Sequence, residues 1–106
     1  MSTKTFAILG VAILIGGGGF ANARADAARG QLLSQRWCVQ CHGVLADQSS
    51  ANAKAPPFSA IAAEPSATEY SLRTFLRTPH PSMPNFILQA DDIADIVDYV
   101  MSLKTK

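Results

Sequence analysis

Five consecutive residues, Cys38-Val39-Gln40-Cys41-His42, concentrate the chemistry of this 106-residue chain. Residues three apart on a helical turn share a face, so the two sulfurs can address one flat object. Each thiol can add across a vinyl group of a porphyrin to form a thioether. The imidazole that follows then lies beneath the ring and can give a nitrogen to its iron. C-x-x-C-H is the pattern of covalent haem attachment. Three other readings compete: a structural disulfide, a redox-active dithiol and half of a zinc site. A dithiol of the thioredoxin kind wants flanking strand–helix–strand sequence, and no strand-like alternation here is long enough. A structural zinc normally takes four ligands; the only other histidine is His80, and there is no third cysteine. His42, directly after the second cysteine, favours haem.

An axial histidine needs its second ring nitrogen anchored, commonly by a carbonyl that fixes the ring. Ala55-Pro56-Pro57-Phe58 follows a polar loop over 47–54. Prolines cannot donate a backbone hydrogen bond, but their carbonyls still accept. The Pro56 carbonyl is the candidate acceptor for His42, against a plain rigid loop. A second axial ligand is sought in Thr78-Pro79-His80-Pro81-Ser82-Met83-Pro84-Asn85-Phe86. The prolines forbid a helix there and stiffen the segment. Methionine is usually a core gap-filler, so Met83 in such a loop asks for another role, and Met/His ligation is one. His80, three residues away, is the rival; spacing leaves both open.

The elements that must position these groups read as helices. Gly30, Leu33 and Trp37 recur at three and four over Ala27 to Trp37. A short helical turn is expected over Ser59 to Ala63. A further helix runs from Thr68, its candidate N-cap, to Leu76, with Leu72, Phe75 and Leu76 on one side. Arg73 and Arg77 lie on another side, either solvated or facing haem propionates. The last helix spans about Ala90 to Leu103, where Ile93, Ile96, Val97, Val100 and Leu103 keep the same period. Asp91, Asp92 and Asp95 crowd its start, favourably for the helix dipole. Tyr99 lies beside the apolar stripe.

Before these elements stands a basic start at Lys4, an apolar run from Phe6 to Ile15, four glycines and Ala23-Arg24-Ala25. This is the layout of a secretory signal peptide with an A-x-A cut. Residues 1–25 are thus expected to be a leader and 26–106 the domain. A cut after Ala23 fits the same rule. An uncleaved anchor would need about 20 apolar residues, roughly twice the run present, so no membrane span is expected after cleavage. The 81 mature residues carry seven basic and eight acidic side chains, a formal charge of −1. Nucleic-acid binding, which wants a dense basic patch, is excluded.

Helix, C-x-x-C-H, proline loop, helix, methionine loop and amphipathic C-terminal helix follow one another in an order that resembles the small monohaem class I cytochromes c. The resemblance covers 26–106. Pro-His-Pro-Ser-Met-Pro and the run Ile93 to Val100 are similar to short proteobacterial members. It implies an all-α cytochrome c fold, three to four short helices around one covalently attached haem c and its iron. It implies Met83 rather than His80 as sixth ligand, Pro56 as the loop proline and Phe58 against the haem. It also implies a close crossing of the first and last helices, with Gly30 against Tyr99. Two features depart from the family: Gln89 stands where a Ser or Thr cap is common, and only Lys54, Lys104 and Lys106 remain for a lysine docking ring.

The expected function is a periplasmic one-electron carrier, not an enzyme, passing electrons between redox partner proteins. Cys38 and Cys41 tether the ring and His42 and Met83 ligate the iron. Pro56, Phe58 and Phe86 line the pocket, with Leu72, Phe75, Leu76 and Val97. The alternatives are a haem subunit of a specific dehydrogenase or oxidase complex, and a ligand-binding or peroxidatic haem protein. A domain this small usually needs a staple, and the haem would serve. A chain with Cys38→Ala and Cys41→Ala is therefore expected to show no cooperative thermal transition by circular dichroism.

Overall fold

The computed structural model describes residues 10–13, 16–17 and 25–105. The leader expected over residues 1–25 lies largely outside them. Four α-helices and no strands occur among the described residues: α1 Ala27–Trp37, α2 Phe58–Ala63, α3 Glu69–Arg77 and α4 Ala90–Ser102. All are within a residue or so of the spans expected from the 3.6-residue period. Asp26 caps α1, its side chain accepting from Arg29 N. Thr68 caps α3 in a reciprocal box with Ser71, each side chain bonding the other's backbone N–H. Gln89 gives α4 no side-chain cap, so that start depends on packing and on Asp91 and Asp92 near the positive end of the helix dipole.

α4 is the hub. Backbone contact joins it to α1, α2 and α3, whereas no two of those three approach one another comparably. Ile93, Ile96, Val97 and Val100 of α4 are buried with Leu33 of α1, Phe58 and Ala62 of α2, and Val44. The α1–α4 seam is the tightest. A Cβ built on Gly30 would lie 1.9 Å from the Asp95 carbonyl oxygen and 2.9 Å from Tyr99 Cβ. Only a hydrogen fits there.

Ion pairs close the same seam at its edge. Arg29 reaches Asp92 at 2.6 Å and Asp95 at 2.5 Å, and Asp26 N–H donates to Asp95 Oδ1 at 2.7 Å. Burial alone would raise the Asp95 carboxyl, but the Asp26 N–H and the Arg29 guanidinium outweigh it and hold the group below its ordinary range.

Gly30→Ala is expected to cost about 1–3 kcal/mol, as overpacking does, measurable by denaturant titration. Because its folded-state value is lowered, Asp95 stabilises above its unfolded value of about 4. That contribution disappears as pH falls through the lower folded value. Asp95→Asn should therefore flatten the acid limb of a stability–pH curve and leave stability lower at neutral pH.

Candidate functional site

The five-residue motif sits where α1 ends. Cys38 is the C-cap of α1, its N–H donating to Ser34 O. Cys38 O then accepts from Cys41 N at 3.2 Å and from His42 N at 2.9 Å, so the backbone of the motif winds one further tight turn beyond α1. The next backbone groups are also engaged. Cys41 O accepts from Asn52 N and Gly43 O from Phe58 N. Gly43 N–H donates to Ser50 Oγ, and Val44 N–H to Gln48 Oε1. Gly43 is packed so closely that a Cβ there would lie 2.0 Å from Gln48 O.

His42 Nδ1 lies 2.6 Å from Pro56 O. A carbonyl only accepts, so Nδ1 carries the proton and Nε2 keeps a lone pair. Phe58 holds the other side of this group. It is buried, with ring centroids 5.4 Å from His42 and 6.5 Å from Tyr99. Tyr99 in turn donates its hydroxyl to Val44 O at 2.5 Å, joining α4 to the segment just past the motif. Val44 and the Tyr99 hydroxyl are positioning groups that periodicity alone does not reveal. Gly43, immediately after the histidine and before a polar run, was the available hint of a close approach.

The remaining expected site residues are distributed as follows. Met83 is half-buried in the 78–89 loop. His80 stacks on Phe75 with centroids 3.5 Å apart. Phe86 lines a hollow of about 280 Å³ with Leu76, Leu88 and Ile93. α3 is strongly amphipathic yet has no buried residue, so Leu72, Phe75 and Leu76 form an apolar side that protein does not fully cover.

Both cysteines are free. Burial pushes the Cys38 thiol up to about 11, against an opposing hydrogen bond with Ser34. A redox dithiol needs the reverse, a sulfur whose value is lowered so that thiolate attacks. Among the described residues no three His, Cys, Asp or Glu side chains gather as a metal ion would require, which removes the zinc reading there.

A model of the family described as cytochrome c matches residues 27–104. The chain belongs to the cytochrome c family. It is also 41% identical over 80 residues to a cytochrome c-552 of Bradyrhizobium diazoefficiens, an alignment covering 76% of this chain and 77% of that one. No solved structure matches it. As a cytochrome c, the protein binds one haem c covalently, with its iron, and is a monohaem electron carrier with the all-α fold of the family.

The residues present fit that group. Two thiols lie one turn apart, and His42 has Nδ1 anchored on Pro56 O, so Nε2 is the nitrogen that would take the iron. Helices α1, α2 and α3 meet only α4, and Leu72, Phe75 and Leu76 of α3 offer an apolar side that is not buried. Arg73 Nε on that helix is buried without a hydrogen-bond partner, a donor available to an anionic group such as a propionate.

Phe58→Ala is expected to destabilise the haem-loaded protein by about 3–5 kcal/mol, the usual range for removing a buried ring. Guanidinium unfolding followed at the Soret band measures it.

Proposed function

We propose that this cytochrome c is exported to the periplasm and carries single electrons between a donor and an acceptor protein there, with His42 and Met83 as the axial ligands. When bound, the haem iron supplies the redox chemistry by alternating between ferric and ferrous states. Cys38 and Cys41 hold the ring, and the turn after α1 fixes their relative placement. Pro56 O holds the proton on His42 Nδ1 and so aims Nε2, which raises its basicity as a ligand. The 2.6 Å contact between these two groups is the observation that carries this reading.

Met83 is favoured over His80 because the His80 ring is stacked on Phe75. A thioether ligand with histidine opposite is also the pairing that raises a reduction potential. With His42 and Met83 both holding the iron, no coordination position would be left for a substrate, which favours a carrier over an enzyme. Phe58, Leu72, Phe75, Leu76, Phe86 and Val97 would supply the apolar surround, Phe58 and Val97 from the buried core and Phe75 and Phe86 from side chains left exposed for the ring to cover. Export is supported by the composition of residues 1–25. No helix among the described residues is long and apolar enough to cross a membrane. With a mature charge of −1 and three lysines, partner docking relies on something other than a broad basic surface.

Two substitutions test the ligand assignment. Met83→Ala should let carbon monoxide bind the reduced protein rapidly at neutral pH and should abolish the thioether-to-iron charge-transfer band of the oxidised spectrum. His80→Ala should change neither. An unaltered protein without that band, in which His80→Ala rather than Met83→Ala admits carbon monoxide, would move the sixth ligand to His80, and rapid carbon monoxide binding by the unaltered protein would count against the carrier.

A further inference from the structure

The start of α1 is a small electrostatic cluster with no role in holding the haem. Asp95 is buried, its side chain only 10% exposed, and it is fully paired. Oδ1 accepts from Asp26 N at 2.7 Å, and Oδ2 from Arg29 at 2.5 Å. Arg29 also holds Asp92, and Asp26's own carboxylate accepts from Arg29 N. Asp92 and Asp95 therefore face one guanidinium across the α1–α4 seam, with the Asp26 carboxylate on the Arg29 N–H beside them, three acids near a single cation. The nitrogen on Asp95 Oδ1 belongs to the residue that an A-x-A cut after Ala25 would place first in the mature chain.

We propose that cleavage between Ala25 and Asp26 seats the new α-ammonium on Asp95, so that processing turns a neutral backbone hydrogen bond into an ion pair locking α1 against α4. This rests on the export reading above. Hydrolysis of the Ala25–Asp26 peptide bond consumes one water, gives Ala25 the carboxylate and leaves Asp26 the amine, which is protonated at neutral pH. A charge-assisted bond of this kind is about twice as strong as a neutral one. It also takes the seam from three carboxylates against one cation to three against two. A cut after Ala23 would not do this, because Asp26 would keep a neutral amide and the amine would lie two residues away.

The groups facing the new terminus are Asp26 and Arg29 of its own helix start and Asp92 and Asp95 of α4. Carboxylates so close hold the ammonium proton about tenfold more tightly or better. The folded-state value is thus raised. The pair contributes fully below the unfolded value of about 8 and is lost as pH rises through the folded one.

The test uses the exported, haem-loaded protein. Mass spectrometry of its N-terminal peptide should give Asp26 first. Thermal midpoints are then followed from about pH 7 to 10 for this protein and for a chain with Thr-Gln inserted between Ala25 and Asp26. The native terminus should lose stability over this range and the inserted one should lose less. Asp95→Asn in both should abolish the difference. Equal pH slopes in the two chains would overturn the pairing while leaving export intact. A product beginning at another residue would overturn the assigned cut. A product that keeps residues 1–25 would overturn the export reading itself.

Discussion

The backbone contact of α1 with α4 at Gly30 governs everything else in this molecule. α1 delivers the cysteines, since the motif is wound on the turn that ends it. α4 is the one helix that the other three touch. The separation of these two helices therefore sets where the sulfurs stand relative to the rest of the fold. That separation is fixed by a hydrogen atom against the Asp95 carbonyl, where any side chain would collide. Arg29 and Asp26 bind the same stretch of α4 from the edge, so steric fit and charge act on one seam.

Around His42 the protein leaves few backbone groups free. From Cys41 to Val44, carbonyls and N–H groups are taken by residues 48–58 and by Tyr99. Such a network fixes the backbone that carries His42, and Pro56 O fixes its ring through Nδ1. Preorganisation matters for an electron carrier because a coordination sphere that barely moves between oxidation states keeps the reorganisation accompanying each transfer small. Phe58 and Tyr99 bury the inner end of this network, where the Tyr99 hydroxyl meets Val44 O, and a hydrogen bond shielded from water is the stronger for it.

Much of this was legible in residue order. The period of Ile93, Ile96, Val97 and Val100 delimits α4 and Thr68 marks the start of α3, while the Gly30–Tyr99 crossing comes from the family resemblance. The C-x-x-C-H spacing indicates the cofactor. What escaped was long-range and polar. Asp95 reads as an acid near a helix start that favours the dipole, yet it binds Arg29 and Asp26 across more than sixty residues. Tyr99 reads as a neighbour of the apolar stripe, yet its hydroxyl fastens Val44, 55 residues away. Val44 reads as part of a loop and is fully buried. A single hydrogen bond between distant segments has no period, so nothing local in the chain announces it.

The half-buried Cys38 sulfur has a consequence for biogenesis. In the closed fold its thiolate is strongly disfavoured, and the thiolate is the form that reacts with disulfides and oxidants. A polypeptide that closed to this packing before ligation would shelter the sulfur from oxidants and equally from an incoming porphyrin. Because a domain this small usually needs a staple to fold, a chain still awaiting its ring would keep both sulfurs within reach, and folding would then seal the tethered group in.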